Sequence, residues 1–538
     1  MDGEETPGPE HDPDQEPVPQ EGASDESAPP EQSPAINASK RQIFRNMVSS
    51  YANLIVGMAM GLILTRVLLH HLGAGGYGLW IVLVAIVGYI GLLDVGVATA
   101  VVQKIARLMA DDQSQGIADV IRTAWVFFAF SGTLAVLVTV VLAPFLSSIL
   151  HLGDINPTVA GITLILLGVM TALLFLASVP NSVLFGSGRS DRVAQIGVIG
   201  LFITQLGQIV AVILGAGLIG LGAVVLVGVG TGLVLAAIMV RRITGASIRN
   251  GHFDRALLVE LLRFGGRQFF VALGGTVAYN LDAVIIGLIL PVAQVAPYDI
   301  ALGTANLTRS LSTQGTDLLL PTYSHFDAKG DSDAQSWFFT RSVMGGLAIS
   351  LPVVIAVAAF GDPILQFWLG TVPPKTYEIV IALGIMMTLQ LPGHQCFIFL
   401  TGIGRNKLLA QLAISGAIVN LAGSIGATFW LGPIGPAIGS LPVVLVLDFI
   451  LLPVIVCRCL GIRVREYART ALLPVVPGGV VAAGIALLLI NFRPEHTGLA
   501  AIIGAVIVVI ASWIVLVVVV AILEPAFRRS VLARLRRR

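Results

Sequence analysis

Charge is what this sequence has least of. Only 12% of its 538 residues are Asp, Glu, Lys or Arg, while 56% are hydrophobic; soluble domains carry roughly 25% charge. The shortage excludes a soluble core, because no water-surrounded domain could cover that much apolar side chain. Cysteine is scarce too. Cys396 falls in an apolar run and Cys457 and Cys459 stand beside arginines, which makes neither a disulfide framework nor a metal site. Enzymatic signatures are missing: there is no P-loop, no H-E-x-x-H and no G-x-S-x-G. No acidic cluster of the kind a metal-dependent glycosyltransferase needs lies at a membrane face, and Asp111-Asp112, between Arg107 and Arg122, read as a solvated helix end. The first 38 residues lack Lys and Arg altogether yet hold eleven acids, leaving the rest of the chain at +12. So polar a tail has too little to bury and is expected to be disordered, either plainly solvated or a tether for a partner. It also lacks the basic n-region of a signal peptide.

What is abundant is the apolar run. A bilayer core takes about 20 apolar residues per helix, and the pattern predicts an all-α polytopic membrane protein. Fourteen spans are expected, at 47–69, 79–102, 120–144, 158–184, 193–214, 218–240, 268–290, 297–321, 338–360, 377–400, 408–430, 434–456, 468–490 and 499–523. Basic residues test the count. With the N-terminus inside, 28 of 32 fall on the cytoplasmic side, Lys375 and Arg493 fall outside, and Arg66 and Arg309 lie within spans. Such a bias orients the chain and predicts a cytoplasmic (inner) membrane protein with both termini cytoplasmic.

One stretch occurs twice. VLFGSGRSDRVAQIGVIG at 183–200 is matched by IFLTGIGRNKLLAQLAIS at 398–415, Gly188-Arg189 and Ala194-Gln195 recurring 216 residues later as Gly404-Arg405 and Ala410-Gln411. Each copy runs helix, basic turn, helix, Gly-rich turn, helix, which predicts two homologous halves. The expected organisation is an acidic tail (1–38), an N-lobe of spans 1–6 (40–240), a cytoplasmic linker (241–267), a C-lobe of spans 7–12 (268–457), and two further spans with a basic C-terminus (458–538).

Ionisable groups within the bilayer cost about 2.5–3.5 kcal/mol each and need a reason to be there. At ~1.5 Å per residue, Asp282 and Arg309 come close enough in depth for an ion pair between consecutive helices. That pair either locks two helices together or sets an arginine in a wet cavity facing an anion. Asp94 and Asp317 are further buried acids, and Asp448 reads as packing or snorkelling. Arg66, one turn from the outer end of span 1, either snorkels to lipid phosphate or meets substrate. His70 and His71 are interfacial. Pro180-Asn181 in span 4 and Pro392-Gly393 in span 10 predict broken helices in matching places, a pointer to a central transport site, with His394 and Gln395 at the second break. Gly57-x-x-x-Gly61 and Gly228-x-x-x-Gly232 would permit close helix approach; Gly75-Gly76 and Gly265-Gly266 read as turns.

Several stretches resemble one family. TRVLLHHLGAGGYG (65–78), GLLDVG (91–96), DAVIIG (282–287), YDIA (298–301), LPTYS (320–324) and WLG (368–370) are similar, in order, to motifs of the polysaccharide-biosynthesis flippases of the multidrug/oligosaccharidyl-lipid/polysaccharide exporter superfamily. The sequence departs at Ala74-Gly75-Gly76, where an acidic pair is usual, and at Ala296-Pro297, where Val-Gly is usual. The resemblance implies two pseudo-symmetric six-helix lobes around a central cavity that opens to either side in turn. The cargo it implies is a polyprenyl-diphosphate-linked oligosaccharide, moved from inner to outer leaflet. Arg309, Arg66, Asn280, Asn306, Gln314 and Gln395 would then bind substrate. Asp282, Asp94, His394 and Asp317 would couple transport to H+ or Na+. No other cofactor and no metal is expected, and neither catalysis nor nucleic acid. Expected partners are the lipid-linked glycan, membrane lipids, and a polysaccharide polymerase or glycosyltransferases. Rival readings are a drug or cation antiporter or a peptidoglycan-precursor flippase of the same superfamily. A membrane polymerase or ligase is the rival of another class, against which the short outer loops stand.

Overall fold

The computed structural model describes residues 40–110, 114–245, 251–313, 319–491 and 498–523; side chains at 40–56, 114–115, 267–280, 311, 321, 406, 490–491, 520–521 and 523 lie outside the description. The chain divides into two units, Met1–Gly57 and Met58–Arg538. The first is helical from Lys40. The second holds everything that follows.

The described residues are helical but for turns and one isolated bridge, His151 to Pro291. The helices are α1 (Lys40–Ile90), α2 (Val97–Ala110), α3 (Ser114–Leu142), α4 (Leu146–Ile149), α5 (Pro157–Gly186), α6 (Ser190–Ile213), α7 (Gly217–Thr244), α8 (Arg255–Ile289) and α9 (Val295–Thr313). They continue as α10 (Leu320–Lys329), α11 (Ser332–Leu369), α12 (Thr376–Gly402), α13 (Asn406–Leu431), α14 (Gly435–Val443), α15 (Leu452–Leu460), α16 (Val464–Tyr467), α17 (Val476–Asn491) and α18 (Gly498–Leu523). Among the described residues, ten helical runs are long and apolar enough to cross a membrane, so this is a multi-pass membrane protein. The count of fourteen is not reached by that measure. Two of the ten runs hold internal breaks, at Gly73 (φ 66°) in Gly57–Asp94 and at Gly432 (φ 69°) in Lys407–Leu460. Large side chains such as Phe130, Leu214, Val227 and Trp430 are exposed, as an acyl-chain solvent allows.

The repeat is visible in the backbone. Gly188 (φ 72°) and Gly404 (φ 76°) both end a helix in the left-handed region. Arg189 N–H donates to Leu184 O and Arg405 N–H to Leu400 O, each at 2.9 Å. Gly188 N–H donates to Phe185 O at 3.0 Å and Gly404 N–H to Thr401 O at 3.1 Å. Both copies therefore close their helices with the same pair of back-reaching bonds, for which a residue without Cβ is the cheapest choice.

Four expectations change. Span 2 is not one helix: after Ile90 comes a 3-10 turn, Gly91–Asp94, then Val95 (φ 51°) and Gly96 (φ 71°), before α2 begins. Helix α8 starts at Arg255, inside the stretch 241–267 expected to link the lobes. Gly265-Gly266 and Gly75-Gly76 lie inside helices; a Cβ on Gly265 would stand 2.7 Å from Val95 O, so this glycine serves close approach. Finally, α5 and α12 run on through Pro180 and Pro392, because one lost hydrogen bond leaves the neighbouring turns able to continue. Of the two G-x-x-x-G motifs, Gly228 packs on Thr204 and Gly200 O, while Gly61 meets nothing.

The cores show how the helices are shared out. One cluster mixes early and late helices: Leu79, Val82 and Leu83 of α1 with Leu164, Tyr298, Ala301, Ile379 and Leu383. A second joins Val101, Ile105, Ile121, Phe128 and Val183 to the first turns of α8. A third is built wholly from later helices, with Phe339, Leu391, Phe399, Val456 and Tyr467. The last two helices pack on α11 through Ala356, Ala482, Ala486 and Ala501, small residues of the kind that let helices approach in lipid. Trp513 Nε1–H donates to Ala348 O at 3.1 Å across that contact.

Candidate functional site

Four of the six quoted motifs meet on one seam between α1 and the later helices. Tyr77, buried to 3%, donates its hydroxyl to Asp299 Oδ2 at 2.5 Å across 222 residues of sequence. Tyr298, next to Asp299 on α9, donates to Asp282 Oδ2 of α8, also at 2.5 Å. Gly78 lies so close to Val292 O that a Cβ has no room, and Val292 N–H in turn donates to His151 O at 3.1 Å. Trp368 Nε1–H reaches Leu62 O at 2.9 Å, and Arg66 Nη1 approaches Phe367 O at 3.5 Å. These contacts lie at the end expected to face outward, where the shared core closes the seam.

Toward the opposite end, α2 and the first turns of α8 flank an open cavity. It has a volume of about 780 Å³ and lies between α2 and the first turns of α8, with Gln103, Lys104, Arg107, Arg255, Glu260 and Arg263 among its lining. Lys104 Nζ donates to both oxygens of Glu260 at 2.9 Å. Being half-exposed, this pair adds at most about 1 kcal/mol to stability.

The expected site residues fare differently. Asp282 takes Tyr298 as its partner, and the anticipated Asp282–Arg309 pair is not among the ion pairs of the described residues. Tyr89 of α1 lies within electrostatic reach of Asp282. Arg309 is half-buried, with Nε 3.4 Å from Asn306 Oδ1. Asn306, Arg309 and Thr313, at i, i+3 and i+7, make a half-buried polar stripe along α9. Arg66 is exposed, at the end expected to face outward. Asp94 Oδ1 accepts from Ala98 N–H at 3.2 Å and caps the start of α2. His394 is half-buried, whereas Gln395 is fully buried beside Gly346, its amide atoms without hydrogen-bond partners among the described residues. The Asn280 side chain and the whole of Gln314 and Asp317 lie outside the described residues.

Two features escaped sequence reasoning, and a third, Asp448, was read only as packing or snorkelling. Asp299 was overlooked although it adjoins a motif tyrosine. Asp448 sits on a π-helical stretch, Val444–Leu451, and packs directly on Gly393 with Gln390 beside its carboxylate; π-segments often mark working sites. The basic residues of the cavity were read only for orientation. Their spacing, Lys104 and Arg107 at i, i+3 and Arg255 and Arg263 at i, i+8, already put each pair on one helix face.

Comparison with known proteins agrees with this geometry. The structure of a protein titled "Lipid II flippase MurJ, inward closed conformation" superposes with a TM-score of 0.71 at 12% identity, covering 87% of this chain and 98% of that one. A multidrug resistance MATE family transporter of the MOP superfamily, in its inward-facing conformation, gives 0.61 at 18% identity, covering 75% and 95%. These likenesses establish the fold. No curated protein matches by sequence. The profile of the family described as "Polysaccharide biosynthesis protein" matches residues 63–372, a span that includes the seam and the basic cavity, and the chain belongs to that family.

Proposed function

We propose that this protein flips a polyprenyl-diphosphate-linked oligosaccharide from the inner to the outer leaflet of the cytoplasmic membrane. The carrying observation is the basic cavity set between α2 of the early helices and α8 of the later ones, in a chain of the polysaccharide-biosynthesis family. A sugar diphosphate is too polar to cross hydrocarbon, so it needs a wet path lined by cations and hydrogen-bonding groups. The α9 stripe of Asn306 and Arg309 supplies both. Arg66 is released to the path when the outer seam parts. Asn280 and Gln314 lie in sequence near this region, and Gln395 joins only after α12 repacks. Transport involves no covalent step.

Asp282 is the coupling carboxylate in this reading, H+ or Na+ competing with the Tyr298 hydroxyl for it. Asp94, already committed to capping α2, is the weaker candidate, and His394 and Asp317 stand behind it. Glycosyltransferases that build the glycan and a polymerase that consumes it are the partners this role requires. Cation export, the rival reading, fits poorly with Arg309 at mid-depth and four cations in the cavity. In proteoliposomes, a fluorescent polyprenyl-diphosphate oligosaccharide should be flipped, and Asp282→Asn or Arg309→Ala should slow it about tenfold or more. Full rates in both variants, or efflux of a cationic dye in place of glycan flipping, would sink the assignment.

A further inference from the structure

The cavity between α2 and α8 is held open at fixed points. Asp254 Oδ1 accepts from Ala256 N–H at 2.7 Å and caps α8. The residues just before are pinned to α3: His252 N–H donates to Asp119 Oδ1 at 2.7 Å, and Asp254 N–H to Thr123 Oγ1 at 3.1 Å. Three turns on, Gly265 rests against Val95 and Gly96 at the head of α2. The cavity occupies the interval between these two anchorages, so its walls do not depend on the mobility of either helix.

Its lining has two characters. Four cations, Lys104, Arg107, Arg255 and Arg263, face one carboxylate, Glu260, a local excess of three positive charges. Beside them stand Val259, 47% exposed, and Phe264, 37% exposed. Such a cavity suits an amphiphile whose multiply charged anionic head is joined to hydrocarbon. We infer that it binds the diphosphate head of a polyprenyl lipid at the cytoplasmic end, before the attached glycan enters between the helices. The inference rests on the flippase reading for orientation and substrate class. Glu260 is the internal competitor. The incoming diphosphate, with more charge and more acceptor oxygens, takes Lys104 from it, and the bond that ties α2 to α8 is released as the substrate docks.

The test uses the full chain in nanodiscs of zwitterionic phosphatidylcholine, with sugar-free polyprenyl diphosphate as probe and affinity read by native mass spectrometry. Near a membrane surface each arginine contributes about fivefold, so Arg107→Ala with Arg263→Ala should weaken binding about 25-fold. Glu260→Gln, which keeps the fold while freeing Lys104, should tighten it severalfold. Arg242→Ala, an exposed basic residue at the end of α7 and outside the cavity, should change nothing. Polyprenol should not bind, and inorganic pyrophosphate only weakly. Unchanged affinity in the double variant overturns the inference, as does weaker binding in Glu260→Gln. Polyprenol or pyrophosphate binding as tightly as the probe overturns it too, and so does phosphatidylglycerol competing mole for mole. The two readings fail separately: lipid binding lost with the arginines in a protein that never flips glycan sinks the flippase alone. Flipping by the double variant at wild-type rate and subsaturating substrate sinks the cavity alone.

Discussion

The Tyr77–Asp299 bond shows how a single pair can hold two sets of helices together. Asp299 is half-buried and Tyr77 nearly inaccessible, so removing one partner leaves a desolvated polar group unmatched. Tyr77→Phe should cost about 1–3 kcal/mol of stability, measured by thermal unfolding in nanodiscs. Asp299→Leu should cost a similar amount. The double variant should lose less than the two combined, since a seam apolar on both sides strands nothing. Strict additivity would mean the two residues act independently and the hydroxyl does not fasten the seam. Both tyrosines of the seam were visible in the sequence as motif positions. That Asp299 is the partner of Tyr77 was not, because nothing local marks residues 222 apart as neighbours.

At the scale of elements the sequence was easier to read. Apolar run length predicted 193–214, 218–240 and 377–400, and the helices found are Ser190–Ile213, Gly217–Thr244 and Thr376–Gly402. The repeat was legible because a basic turn in an apolar chain is rare enough to align. What escaped were features that hydropathy does not encode. The break at Val95-Gly96 lies inside an apolar stretch whose only charged residue is Asp94, and Gly265-Gly266 has a turn's composition although Gly265 serves packing. Asp448 was read as packing or snorkelling and does pack, on Gly393, but a lone acid gives no sign of the helix it will meet. The matched turns make a quantitative prediction. Gly188→Ala and Gly404→Ala each force a Cβ into the left-handed region, so each should cost about 1 kcal/mol. Because φ differs by only a few degrees between them, the two costs should agree in thermal unfolding. A neutral substitution at one and a damaging one at the other would mean the halves no longer share this turn.

At the scale of the molecule, the shared core and the basic cavity make opposite demands on the same helices. Admitting glycan past α2 and α8 must part the core they share at the inner end, and releasing it outward must part the core that α1 shares with the later helices at the other. Sealing both ends at once would trap the glycan; opening both would leak ions. The repeat supplies matched reporters for this motion. Leu214 and Trp430 are exposed, 216 residues apart, at the expected outer end. Asp191 and Lys407 are exposed, with the same separation, at the inner end. Spin labels on cysteines at 214 and 430, and in a second sample at 191 and 407, should report distances that change with opposite sign when lipid-linked glycan is added. The outer pair should lengthen while the inner pair shortens. Tyr77→Phe, by weakening the outer fastening, should shift the untreated protein part of the way along the same path. If both pairs move in the same direction, or if only one moves, the helices do not rock about a common seam, and the sealed end described here is a permanent interface rather than a gate.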